Sequence, residues 1–212
     1  GMKSKFWEYE YDAEDPSFPE LPKITPGESQ PDSERVSSFV YPGGILAVHS
    51  QGRGKEAIWR ALKNKNVYGT SGPRILLWFD LINSPKGKIP MGSEIIMSQN
   101  PRFAIKAAGS FKQKEGCSNE SIDSLSDERL DYLCAGECYN PSNERNVIER
   151  IEVIKITPQI YSGEAISPLI QDPWLTLPCQ ETGECAVEFV DQNFSRDSVY
   201  YVRVIQEAPP AI

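Results

Sequence analysis

Histidine is almost missing from this chain: His49 is the one imidazole in 212 residues. A metal centre built on His-x-His pairs therefore has no ligands here. A Ser-His-Asp triad would rest on that single imidazole, and no serine sits in a nucleophile-elbow motif. Long apolar runs are missing too. None approaches the roughly 20 residues that a bilayer span needs, so no membrane span is expected. Basic charge is short: 22 Lys and Arg against 30 Asp and Glu leave a net charge of −8 and a pI near 4.9. A phosphate backbone wants a basic face, so nucleic acid is not an expected partner. No secretory signal pattern is visible near residue 1. Gly1 ahead of Met2 reads as a remnant of tag removal, which leaves the natural start open.

What is present is ordinary in bulk and uneven in detail. Hydrophobic residues at 39% and charged residues at 25% suit a globular chain of one large or two small domains. Residues 1–40 carry a net charge of −5, residues 41–74 a net of +5, and residues 114–131 a net of −4. The lead-in, residues 1–40, is acidic and proline-rich, a composition that resists helix and sheet. Phe6, Trp7, Tyr9 and Tyr11 within it read as a short aromatic strand or anchor.

Residues 41–72 read as a β-turn-α unit. Gly44–His49 is a short apolar strand, Ser50–Gly54 a polar turn and Lys55–Asn64 a helix. Ala57, Ile58, Ala61 and Leu62 fall on one helical face. Val67–Pro73 then reads as a turn. Residues 73–212 read as an antiparallel β-sandwich-like domain, which makes the fold class α+β. Strands are expected at 74–81, 93–98, 102–110, 147–157, 185–190 and 198–206, with a turn at 85–88. The pattern Ile151, Val153, Ile154, Ile156 breaks phase and predicts a bulge near Val153. Tyr200, Val202 and Val204 share one face. Residues 113–146 form an acidic, cysteine-bearing insertion, with a short helix near 126–133 and Ser124 and Asp127 spaced like a capping box.

The five cysteines, Cys117, Cys134, Cys138, Cys179 and Cys185, all lie in polar, loop-like sequence of the second half. That placement favours disulfides in an exported, periplasmic or secreted protein. Zinc and free thiols remain open as alternatives. Cys134 and Cys138 are four apart but no second close pair with zinc-ligand geometry is obvious, and the odd number leaves one cysteine over.

Several segments carry a resemblance. They are Gly44–His49 with the helix to Leu62, the stretch Val67-Tyr-Gly-Thr-Ser-Gly-Pro-Arg-Ile75, and Pro90-Met-Gly-Ser-Glu94. Gly136-Glu-Cys-Tyr-Asn-Pro141 and Tyr200-Tyr-Val-Arg-Val-Ile205 add to them. Over roughly residues 44–212 the chain resembles the C-terminal part of the uncharacterised bacterial domain-of-unknown-function family thirty-six hundred four. That family is similar to the polymerase-and-histidinol-phosphatase (PHP) metallohydrolases. The resemblance implies a parent protein whose His and Asp metal ligands lie in an upstream barrel. This chain would then be a fragment: a non-catalytic accessory domain with no cofactor of its own, its partner the rest of the parent. The parent would hold a divalent metal.

Single residues are weighed against plainer roles. His49, at the end of a strand, is a candidate contact for a phosphate or other ligand, or else a local hydrogen-bonding residue. Arg53, in the Ser50–Gly54 loop before a helix, is a candidate anion contact, or part of an ordinary turn. Thr70, Ser71 and Arg74 are candidate anion ligands, or a tight junction in which Arg74 pairs with an acid. Asp80, Glu94, Glu149 and Glu152 read as strand-surface residues, and no catalytic residue is assigned. Two further readings stay open. One is a metal-dependent phosphoester hydrolase to which this chain lends substrate or supporting contacts. The other is a sandwich that binds carbohydrate or protein through Trp78, Trp174, Tyr200 and Tyr201.

Overall fold

The structure is a computed structural model that describes residues 44–134 and 138–208. The expected lead-in, its four aromatics and Gly136 lie outside the described residues. The strands, in chain order, are β1 (Ile45–Val48), β2 (Val67–Thr70), β3 (Leu76–Ser84), β4 (Gly87–Pro90), β5 (Arg102–Ala108) and β6 (Phe111–Gln113). They continue with β7 (Pro141–Arg145), β8 (Ile148–Ile156), β9 (Ile170–Pro178), β10 (Glu184–Val190) and β11 (Val199–Gln206). The helices are α1 (Lys55–Lys63), α2 (Asn119–Ser124) and α3 (Asp127–Cys134), and a 3-10 turn covers Ser167–Leu169. The described residues are mostly β, and every strand pairing is antiparallel.

The first unit differs from its expected form. Val67–Thr70 is a strand, which pairs with β1 so that Ile45 faces Thr70 and Val48 faces Val67. β-branched Val67 and aromatic Tyr68 suit a strand better than the flanking glycines suggest. In α1 the inner face is narrow. Ala61 is buried at 5% exposure, whereas Ile58, Leu62 and Trp59 remain exposed. Gly54 caps the helix through its carbonyl alone, with no side-chain cap.

The rest of the chain builds one core from two sheets. The larger has strand order β10-β5-β3-β4 and the smaller β11-β8-β9. Alternation decides which residues enter the core. Leu77, Phe79 and Leu81 point in from β3, as do Phe103, Ile105 and Ala107 from β5. From the smaller sheet, Ile151 and Val153 are fully buried in the same cluster, with Tyr200, Val202 and Val204 packed against it. Phe103, Phe189 and Tyr200 meet at ring separations of 4.9 and 4.8 Å. Each large aliphatic or phenyl side chain so buried contributes about 1.5–3 kcal/mol by removing apolar surface from water.

β8 pairs irregularly at two points. Against β11, residues 205 and 206 pair with 150 and 148, so Glu149 is an extra residue that turns Ile148 inward. Against β9, Val153 pairs with Leu175 but Lys155 pairs with Gln171, so the extra residues near Val153 lie on β9. Ile154, on the face opposite Ile151, is still fully buried. The expected irregularity is present, with its inserted residues on the partner strand.

Other expectations need correction. Residues 93–98 form no strand. β4 occupies part of an expected turn, and β9 was hidden by its Asp172–Pro173 pair, because proline interrupts a strand pattern. The acidic insertion stands on a β6–β7 ribbon. Its α3 is where a helix was expected, but Ser126, not Ser124, accepts from the amide three residues on, that of Arg129. Ser118 caps α2 in the same way, through the amide of Ser121.

Candidate functional site

The sequence candidates gather around the junction between the β1-α1-β2 unit and β3. β4 covers only the stretch of β3 from Asp80 to Ser84. Ahead of that stretch, Leu77 keeps both main-chain groups in bond with side chains of the first unit. Its carbonyl accepts from Nε2 of His49 at 2.7 Å, and its amide donates to the Tyr68 hydroxyl at 3.2 Å. Tyr68 in turn donates to the carbonyl of Ile75 at 2.9 Å. Two side chains thus stand where a neighbouring strand would, and they remove the cost of unpaired backbone groups. The His49 ring also packs against Tyr68 and Trp78, at 5.5 and 5.9 Å between centroids. Burial raises the phenol pKa of Tyr68, partly offset by its bond with Leu77.

A second stitch lies at the end of α1. Asn66 donates through Nδ2 to the carbonyl of Met91 at 2.9 Å. Gly92 has φ of 81° and lies against the backbone of Lys65, where a Cβ would collide. Glycine is needed there both for its dihedral and for the close approach.

The other candidates take separate places. Arg53 is exposed and lines an open groove with Leu46, Val48 and Ile58. Thr70 turns inward to its own loop, its Oγ1 accepting from the Gly72 amide at 3.3 Å. Ser71 is exposed. Arg74 does not pair with an acid among the described contacts; its guanidinium stacks on the Tyr139 ring at 4.0 Å. The strand-surface carboxylates are in ion pairs: Asp80 with Lys88, Glu149 with Arg150, and Glu152 with Arg150 and Arg203. Glu94 lies in a loop, because no strand forms around it. Trp174 and Tyr200 pack against the core and do not line a surface, whereas Trp78 and Tyr201 are exposed. Among the described residues no three His, Cys, Asp or Glu side chains converge as metal ligands would.

One cluster carries no sequence signal. Asp191 follows β10 and is fully buried. Its Oδ2 accepts from Lys155 Nζ and, at 2.5 Å, from the Tyr200 hydroxyl, while its Oδ1 accepts from the Asn193 amide at 3.0 Å. The Lys155 ammonium also lies 5.3 Å from the Trp174 ring centre. Burial pushes the Asp191 carboxyl up, but the bonds from Lys155, Tyr200 and the Asn193 amide outweigh it and hold the pKa below its ordinary value. Burial, then Asp191 itself, pushes the Tyr200 phenol far above its usual range. The cluster ties β8 and β11 of the smaller sheet to the end of β10 in the larger one.

Cysteine pairing is resolved for four residues. Cys117 is bonded to Cys138 across the insertion, and Cys179 to Cys185 between β9 and β10. The Cys134 side chain lies outside the described part. Two disulfides are compatible with an oxidising compartment, and no described helix is long and apolar enough to cross a membrane.

Comparison with curated proteins and with solved structures finds no match. A family model does match, over residues 7–115, which takes in most of the lead-in, the β1-α1-β2 unit and β3 to β6. The match therefore begins earlier than the resemblance read from motifs, and Gly136–Pro141 and Tyr200–Ile205 lie outside it. With half of its length in that match, the chain belongs to the family described as Protein of unknown function (DUF3604).

Proposed function

We propose that this chain is a non-catalytic accessory domain of a larger, PHP-like metallohydrolase. The observation that carries the reading is the engagement of His49. The single imidazole is spent on the Leu77 carbonyl, where it holds two parts of the domain together. On this reading the divalent metal and its ligands belong to an upstream barrel, and the domain stabilises the parent and helps shape its substrate entrance. The core shared by the two sheets supports a sandwich-like body for that role. The two disulfides favour a periplasmic or secreted parent.

A second reading has one observation behind it. Arg53 is exposed, lines an open groove and precedes the start of α1, which has no side-chain cap, so it is placed to contact an anionic substrate of the parent. Both readings meet the same test: incubation of the chain with Mn²⁺ or Zn²⁺, desalting and metal analysis. Less than about 0.1 metal per chain is expected, as for a protein without a closed set of ligands. Stoichiometric metal would overturn the proposal and call for a hydrolase assay of the isolated chain.

A further inference from the structure

We propose that two copies of this chain associate through two faces of opposite charge, the α1 face of one on the acidic insertion of the other. This does not rest on the proposed function. Both faces join exposed apolar side chains to charge, and the charges are of opposite sign. On α1, Trp59 is 55% exposed and Ile58 and Leu62 are each 37% exposed. Around them Lys55, Arg60 and Lys63 are exposed, within a stretch of net charge +5. On the insertion, Ile122 and Tyr132 are each 50% exposed and Leu125 is 37% exposed. Asp123, Asp127 and Glu128 stand exposed beside them, within a stretch of net charge −4.

Large exposed apolar side chains gathered on one face mark a covered surface more often than a bare one. Like charge would keep either face from pairing with itself, whereas the opposite signs favour one on the other. The Cys117–Cys138 bond and the β6–β7 ribbon hold the insertion as a defined element. A two-fold axis lets each copy offer both faces, so the contact forms twice and closes as a dimer.

Sedimentation equilibrium of the full chain tests this. A dimer is expected at low salt, weakening at least tenfold when salt is raised to about 0.5 M, because exposed charge pairs are screened. Lys63→Glu and Asp127→Lys should each weaken it at least tenfold, and the two together should restore it. Trp59→Ser should abolish it, with an unchanged circular dichroism spectrum showing an intact fold. A chain that stays monomeric at low salt overturns the proposal. So does a dimer that ignores these substitutions, since another surface or another copy-to-copy contact would then be responsible.

Discussion

The two parts of the described chain solve the same problem unequally. In the body, Ile148, Ile151, Val153 and Ile154 of β8 are each 0% exposed, and both sheets contribute to one core. In the β1-α1-β2 unit only Ala61 is buried, while Leu46 remains 58% exposed and Trp59 55%. The unit has too little interior to hold itself together: a two-stranded ribbon and a nine-residue helix are each marginal alone. Its order depends on the stitches to the body from His49, Tyr68, Asn66 and Gly92. The lesson is that side chains placed at a sheet edge can anchor a unit that lacks a core.

The comparison breaks most sharply at the core. Phe103→Ala removes a ring packed between Phe79, Phe189 and Tyr200, and should destabilise the body by about 4 kcal/mol. Leu46→Ala in the small unit should cost less than about 0.5 kcal/mol, because its side chain is already in water. Urea unfolding followed by far-ultraviolet circular dichroism separates the two. Equal losses would mean that the small unit is as well packed as the body.

The buried ion pair gives the next effect. Asp191→Asn leaves Lys155 charged in a mostly buried place and should cost about 3 kcal/mol at neutral pH. The sign of the pH dependence follows from the depressed carboxyl. Its contribution is fully present above the ordinary carboxylate pKa of about 3.9 and is lost as pH falls through the lower folded value. Acid unfolding of the unsubstituted chain should therefore steepen below about pH 4. Asp191→Asn should flatten that slope, and an unchanged slope would place the acid-sensitive groups elsewhere.

How far the sequence reveals this molecule differs by region for the same physical reason. Strands with clean alternation or dense apolar content, β3, β5, β8, β10 and β11, were legible, because burial on one face writes a period of two into the residues. β2, β4 and β9 were not, since glycine and proline in them look like turns. The candidate site was legible only in part. His49 stood out by its rarity, but its partner is a main-chain carbonyl, which no residue pattern announces. Tyr68 looked like part of a turn, and Asp191 like any acid at a strand end. Long-range bonds to backbone leave no spacing to read.

A smaller effect than that of the ion pair tests the stitches themselves. Tyr68→Phe keeps the ring beside His49 but removes the hydroxyl that donates to the Ile75 carbonyl and accepts from the Leu77 amide. Both backbone groups then lose a partner at a partly buried edge, which should cost about 1–2 kcal/mol. The loss need not reach the body. The β3 edge away from this point is still paired with β5 along its length from Leu76 to Leu81. Hydrogen exchange should therefore speed up at Leu77 and through β1 and β2, while Ile105 and Ile151 keep their protection. Uniform acceleration over both parts would mean that they unfold as one unit, and that the small unit is integral to the core and not an appendage held at its edge.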